Sequence, residues 1–176
     1  MGNKILWKPF TRKINDVILC KGGIKMDNLD SKILALLAKN GRMNASEIAE
    51  KVCLSVSACI ERIRKLELSG VITGYTVTVN NTKLGKDVLA LMNVATEHPK
   101  YNDGFVEAVR KNPFVIECYY IAGDFDYFVK ILTDNIVKLE ETLNYIKGIK
   151  GVSKTKTDIV LNATVSQPSV YIDENA

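Results

Sequence analysis

The chain has 176 residues, room for one medium domain or two small ones, and its 47% hydrophobic and 25% charged content is that of an ordinary soluble globular protein. No apolar run approaches the roughly 18 residues of a membrane span; four cysteines without CxxC spacing (Cys20, Cys53, Cys59, Cys118) and His98 as the sole histidine argue against a metal site and for reduced thiols in the cytoplasm. The formal charge of +4 belongs to the leading segment: residues 1–25 carry six cations against Asp16, a net of +5, which leaves −1 for residues 26–176, so attraction to phosphate there must come from local clustering.

Residues 1–25 lack the apolar centre and small-residue cleavage pattern of a secretory signal. They read as a basic arm, as an upstream start ahead of the true one at Met26, or as sequence of expression origin, and are expected to be dispensable for folding and recognition. A first helix follows from Asp30, with Ile33, Leu34, Leu37 and Ala38 on one side, and Asn40-Gly41 ends it.

Residues 43–72 then read as two helices joined by a tight turn. Asn44 or Ser46 caps the first, which runs through Val52; Cys53 and Leu54 make the turn; Ser55 caps the second, which Gly70 stops after about Ser69. Steps of about 100° around that second helix place Val56, Cys59, Ile60, Ile63 and Leu66 on an inward side and Ser57, Ala58, Glu61, Arg62 and Lys65 on the opposite one. The outer face suits the major groove of DNA, where small residues allow close approach and Arg and Lys reach base acceptors or phosphates. It equally fits a plain surface helix in which Glu61 and Lys65 form a solvated pair.

The run SVSACIERIRKLELSGVITGY resembles the DNA-reading helix and exit of the Lrp/AsnC family, the leucine-responsive, feast/famine regulators of bacteria and archaea. The family's opening Ser, its (Leu/Ile)-Glu-Arg-hydrophobic-Arg segment, Leu-Glu and Gly-(Val/Phe)-Ile-x-Gly-Tyr exit fall here on Ser55, Ile60, Glu61, Arg62, Ile63, Arg64, Leu66, Glu67, Gly70, Val71, Ile72, Gly74 and Tyr75. Val56 departs from the Pro often found at the first helical turn. The resemblance implies a transcriptional regulator that binds double-stranded DNA through Ser55, Ser57, Ala58, Glu61, Arg62, Arg64 and Lys65. Ser57, Ala58, Glu61 and Arg62 would meet base edges, with Arg64 and Lys65 on phosphates.

Beyond residues 26–75, a strand over 71–79 is expected as a wing or exit, and the polar run through Gly85 makes residues 76–86 a strand and hinge. Residues 87–165 show two strand-helix-strand units: strands near 88–95, 115–122, 125–132 and 152–163, with helices at 103–111 and 134–147. That order is βαββαβ, so the whole is α+β, a winged helix-turn-helix domain followed by a ferredoxin-like domain. The same order matches the family's ligand-sensing domain. The first two strands are apolar at both parities and need cover on both faces. Both helices take one face, so a second copy is the simplest cover for the other, giving a homodimer that family members extend to tetramers or octamers. Residues 166–176 read as a tail.

The stretch Ile121-Ala122-Gly123-Asp124-Phe125-Asp126-Tyr127 resembles the family's Gly-(Asp/x)-(Phe/Tyr)-Asp-(Tyr/Phe) motif, which implies an effector site at Gly123, Asp124, Phe125 and Asp126 between dimers, with an amino acid as ligand. An amino acid needs a carboxylate near its ammonium and N–H donors for its own carboxylate, and a Gly-Asp hairpin supplies both. The same residues also serve a plain turn. Two rival functions stay open: an architectural DNA-coating protein without effector, and an enzyme like the siroheme decarboxylases, which His98 alone poorly equips. No cofactor and no catalytic residue is expected.

Overall fold

The structure is a computed structural model that describes residues 26–165 and residue 172. The expectations for residues 1–25 and for the tail, residue 172 apart, lie outside the described residues. The described chain divides between Val77 and Thr78 into two compact units.

The first unit is three helices: α1 (Asn28–Lys39), α2 (Ala45–Lys51) and α3 (Val56–Leu68). Each starts on a side-chain cap that satisfies an orphan backbone N–H. Asp27 and Asp30 form a reciprocal capping box on α1; Asn44 accepts from the Glu47 N–H at 2.9 Å; Ser55 Oγ accepts from the Ala58 N–H at 3.2 Å. The α2–α3 turn is tight because Cys53 takes a left-handed φ of 55°, while the Leu54 N–H donates to the Ala49 carbonyl at 2.9 Å. Ile33, Ile48, Ala49, Val52, Cys59 and Leu66 form the core, with Ile63, Val71 and Ile72 packed on it. Gly70, at φ 74°, ends α3 and lets the chain return so that the Ile72 N–H reaches the Leu66 carbonyl at 3.0 Å.

No strand forms over residues 71–79, contrary to the alternation of the sequence. A strand exists only where a ladder partner lies alongside, and none does among the described residues. Tyr75, Val77 and Val79 stay exposed, and the stretch beyond Ile72 is anchored by the Tyr75 hydroxyl donating to Glu67 at 2.9 Å. Within 76–86 the regular element is instead a short 3-10 turn, Thr82–Leu84, closed by Gly85 in the left-handed region.

The second unit is a four-stranded antiparallel sheet of β1 (Val88–Thr96), β2 (Val115–Tyr120), β3 (Tyr127–Thr133) and β4 (Val152–Ile159), with α4 (Asn102–Lys111) and α5 (Ile136–Lys147). The spatial order is β2-β3-β1-β4, the ferredoxin-like arrangement expected from the sequence. Ala90, Met92 and Val94 of β1 and Tyr127, Val129 and Ile131 of β3 bury one face against Phe105, Val109, Leu139 and Ile146 of the helices. The opposite face, with Leu89, Leu91, Phe128 and Leu132, is half-buried within one chain, and Ile116, Tyr119 and Tyr120 of β2 are exposed. Strand β2 ends at Tyr120 and β3 starts at Tyr127, so residues 121–126 are given over to the connecting hairpin.

Candidate functional site

The sequence-predicted site residues fall in two sets, one in each unit. In the first unit α3 presents two stripes at the i, i+3, i+4, i+7 spacing of one helix face. Cys59, Arg62, Ile63 and Leu66 make the stripe turned to the core, with Cys59 fully buried. Ser57, Ile60, Glu61 and Arg64 make the stripe turned to solvent, with Lys65 exposed beside it. Ser55 sits at the helix start, its Oγ 3.2 Å from the Ser57 Oγ, and Glu61 and Arg64 stand 3.8 Å apart. Ala58 is half-buried at the boundary.

This rotates the helix relative to the sequence expectation. Val56 and Ile60, assigned inward as apolar residues, are exposed; Ile60 retains 52% of its accessible surface. Arg62, assigned outward as a charged one, lies in the packed stripe. Its Nη1 donates to Asp30 Oδ1 at 2.7 Å and to Asp27 Oδ2 and Oδ1 at 2.8 and 2.9 Å, at the N-terminus of α1. Side-chain polarity misassigned it because the partners that make its partial burial tolerable are more than 30 residues earlier, at separations of 32 and 35. The bonds to Asp30 and Asp27 hold the guanidinium above its already high ordinary pKa. The Asp27 carboxyl is held below its ordinary value by the Asp30 backbone N–H and then by Arg62. With two carboxylates against one guanidinium, this corner carries a net charge of −1, unsuited to a phosphate.

In the second unit the hairpin of residues 121–126 is closed by the Ile121 N–H donating to the Asp126 carbonyl at 2.8 Å. Gly123, exposed, has φ 144°, which L side chains rarely adopt. The two acids differ. Asp126 turns Oδ2 to the end of β1, accepting from the Thr96 N–H at 2.7 Å and the Thr96 hydroxyl at 3.0 Å, where the β1–β4 register slips between Ala95 and Thr96. It therefore satisfies a backbone donor on the β3 side of β1 that lies past the last β1–β3 pair, Val94 with Tyr127. Asp124 is exposed and has no side-chain partner among the described residues. Phe125 is half-buried, with the Lys154 ammonium 5.3 Å from its ring centroid. Thr96 and Lys154 carry no local sequence signal for this role, since both reach the hairpin only through strand pairing.

Among the described residues, no group of three or more His, Cys, Asp or Glu is placed to hold a metal ion, and no helix is long and apolar enough to cross a membrane. Burial holds the Cys118 thiol up at about 11.

Comparison with known proteins bears on both units. Residues 26–67 match the AsnC-type helix-turn-helix domain and residues 88–170 the Lrp/AsnC ligand binding domain. An HTH-type transcriptional regulator of Pyrococcus furiosus is 38% identical over 136 residues, 77% of this chain and 89% of that protein. The structure of a Neisseria meningitidis transcriptional regulator in complex with L-methionine covers 84% of this chain and 97% of its own, at 26% identity and a TM-score of 0.80. A feast or famine regulatory protein of Mycobacterium tuberculosis, complexed with L-methionine, covers 84% and 99% at 30% identity and a TM-score of 0.77. With helix-turn-helix and ligand-binding domains in the family's order, on the family's fold, this chain belongs to the Lrp/AsnC family of DNA-binding transcriptional regulators.

Proposed function

We propose that this regulator binds DNA sequence-selectively as a homodimer, inserting α3 into the major groove, and that an amino acid bound at the 121–126 hairpin shifts its affinity or assembly. The observation that carries the DNA reading is the solvent-facing stripe Ser57, Ile60, Glu61 and Arg64 on a helix whose N-terminus is capped by Ser55. Hydroxyl, carboxylate and guanidinium in that stripe match base-edge donors and acceptors, while Lys65 beside it lies where phosphates flank an inserted helix. Arg62 acts from behind the helix, as a positioning residue. The half-covered sheet face with Leu89, Leu91, Phe128 and Leu132 supports pairing with a second copy, and a pair of reading helices suits half-sites about one DNA turn apart.

The effector reading is supported by the exposed Asp124 beside Gly123, a hairpin held in place by Asp126, and the L-methionine complexes of two structural neighbours. Asp124 offers a carboxylate to the ammonium of an amino acid, and Lys154 a cation close to the same hairpin. One experiment tests both readings: enrich a binding duplex from a random pool, then footprint it with and without each common amino acid, starting from L-methionine. A discrete footprint that some amino acid alters is expected. Uniform coating of any sequence, indifferent to every amino acid, would favour an architectural role and refute the proposal.

A further inference from the structure

We infer that Ile60 reads the 5-methyl group of thymine in the major groove and so helps set which sequences this protein selects, an inference that rests on the groove placement of α3 proposed above. A β-branched residue left 52% exposed in the solvent-facing stripe of α3 contributes little to the core, which Cys59 and Leu66 fill from the opposite side of the same helix. The Arg62 bonds to Asp27 and Asp30 fix that rotation, so Ile60 cannot be turned inward without breaking them. Val56, four residues earlier and also exposed, extends the apolar surface by one turn, and Ser57, Glu61 and Arg64 border it.

The major-groove edges of the four bases are donors and acceptors apart from one apolar group, the thymine methyl. An apolar side chain flanked by a hydroxyl, a carboxylate and a guanidinium is therefore matched to a thymine beside polar base edges. Two side chains within a charged surround are also far smaller than the buried area a protein partner needs. Ser57, one turn before Ile60, is small enough to let the helix approach the bases.

The test uses the full chain and the duplex enriched from a random pool, with each thymine replaced singly by uracil, which lacks only the methyl group. Affinities are read by fluorescence anisotropy at one fixed salt concentration, since salt alone shifts them. For the wild type, uracil at one position of a half-site is expected to weaken binding about fourfold, the effect of one buried methyl. Ile60→Ala should weaken binding to the thymine duplex by at least as much, and should then be indifferent to uracil at that position. Circular dichroism should show its fold unchanged. The same uracil penalty in Ile60→Ala as in wild type, no uracil penalty anywhere, or a changed assembly state of Ile60→Ala without DNA would each overturn the assignment. Failure of the underlying groove reading looks different: a Ser57→Ala, Arg64→Ala double variant would bind the enriched duplex as wild type does.

Discussion

Replacing Arg62 by Ala separates a residue that positions α3 from one that touches DNA. The geometry sets the size of the effect. Asp30, with 17% of its side chain exposed, accepts at 2.7 Å from a guanidinium 28% exposed, so this bond is partly shielded and charge-assisted. Such a bond contributes about 1–2 kcal/mol once discounted from the fully buried case toward the exposed one; the arm to Asp27, more open to solvent, adds little. Arg62→Ala should therefore lower protection against amide hydrogen exchange in α1 and α3 by roughly tenfold, the equivalent of about 1.4 kcal/mol. Operator affinity should fall as α3 loosens, while the slope of log affinity against log salt stays that of wild type. Arg62→Lys should restore only part, because a point charge cannot replace the planar guanidinium between two acids. The Asp27 carboxyl, lowered from its ordinary 3.8, adds a pH signature. Its contribution is complete above that ordinary value and is lost as pH falls through the lower folded value, a dependence that Asp27→Asn should abolish. Unchanged exchange together with a salt slope reduced by about one unit would refute the reasoning and make Arg62 a phosphate contact.

The acids of the hairpin should separate in the same way. Asp126→Ala leaves the Thr96 N–H without its acceptor and should cost about 1–3 kcal/mol in chemical denaturation; Asp124→Ala should leave stability unchanged and abolish the calorimetric signal of the amino acid that alters the footprint. Gly151, at φ 91°, lies against the Tyr101 ring so closely that a Cβ would overlap it. Gly151→Ala should destabilise by about 2–4 kcal/mol by combining backbone strain with that overlap, and adding Tyr101→Gly, which removes both the ring and its Cβ, should recover the overlap part alone.

The elements were legible because their signals are local. The Asn44 and Ser55 caps, the Gly70 stop and the αβ alternation of residues 88–159 each depend on neighbours within a few residues, and they fall within a residue or two of the expected places except at the end of β4, which stops at Ile159 and not near residue 163. The strand over 71–79 was misread because alternation reports only a capacity for pairing, and a ladder partner is a tertiary fact. The rotation of α3 about its axis was misread for a related reason. A wheel drawn from polarity alone places every charge outside, whereas Asp27 and Asp30 draw Arg62 in and turn Ile60 out. The split between Asp124 and Asp126 was likewise hidden, since Thr96 lies 30 residues before Asp126 and meets it across the sheet.

Both units therefore set a partnered charged side chain beside solvent-facing ones. Arg62 and Asp126 each spend charge on partners at 2.7–3.0 Å, which fixes the backbone beside them. The residues they fix, Ile60 and Arg64 on α3 and Asp124 on the hairpin, face solvent. Counting motif charges overstates electrostatic attraction as a result. With Arg62 neutralised by two carboxylates and Glu61 beside Arg64, α3 offers DNA a nearly balanced surface, and the chain beyond residue 25 is itself at −1. A reading unit with so little general attraction for phosphate gains little affinity on sequences that do not match it. On the proposed groove placement of α3, discrimination would then come from short-range contacts at the base edges, polar ones at Ser57, Glu61 and Arg64 and an apolar one at Ile60, each lost when the base is wrong.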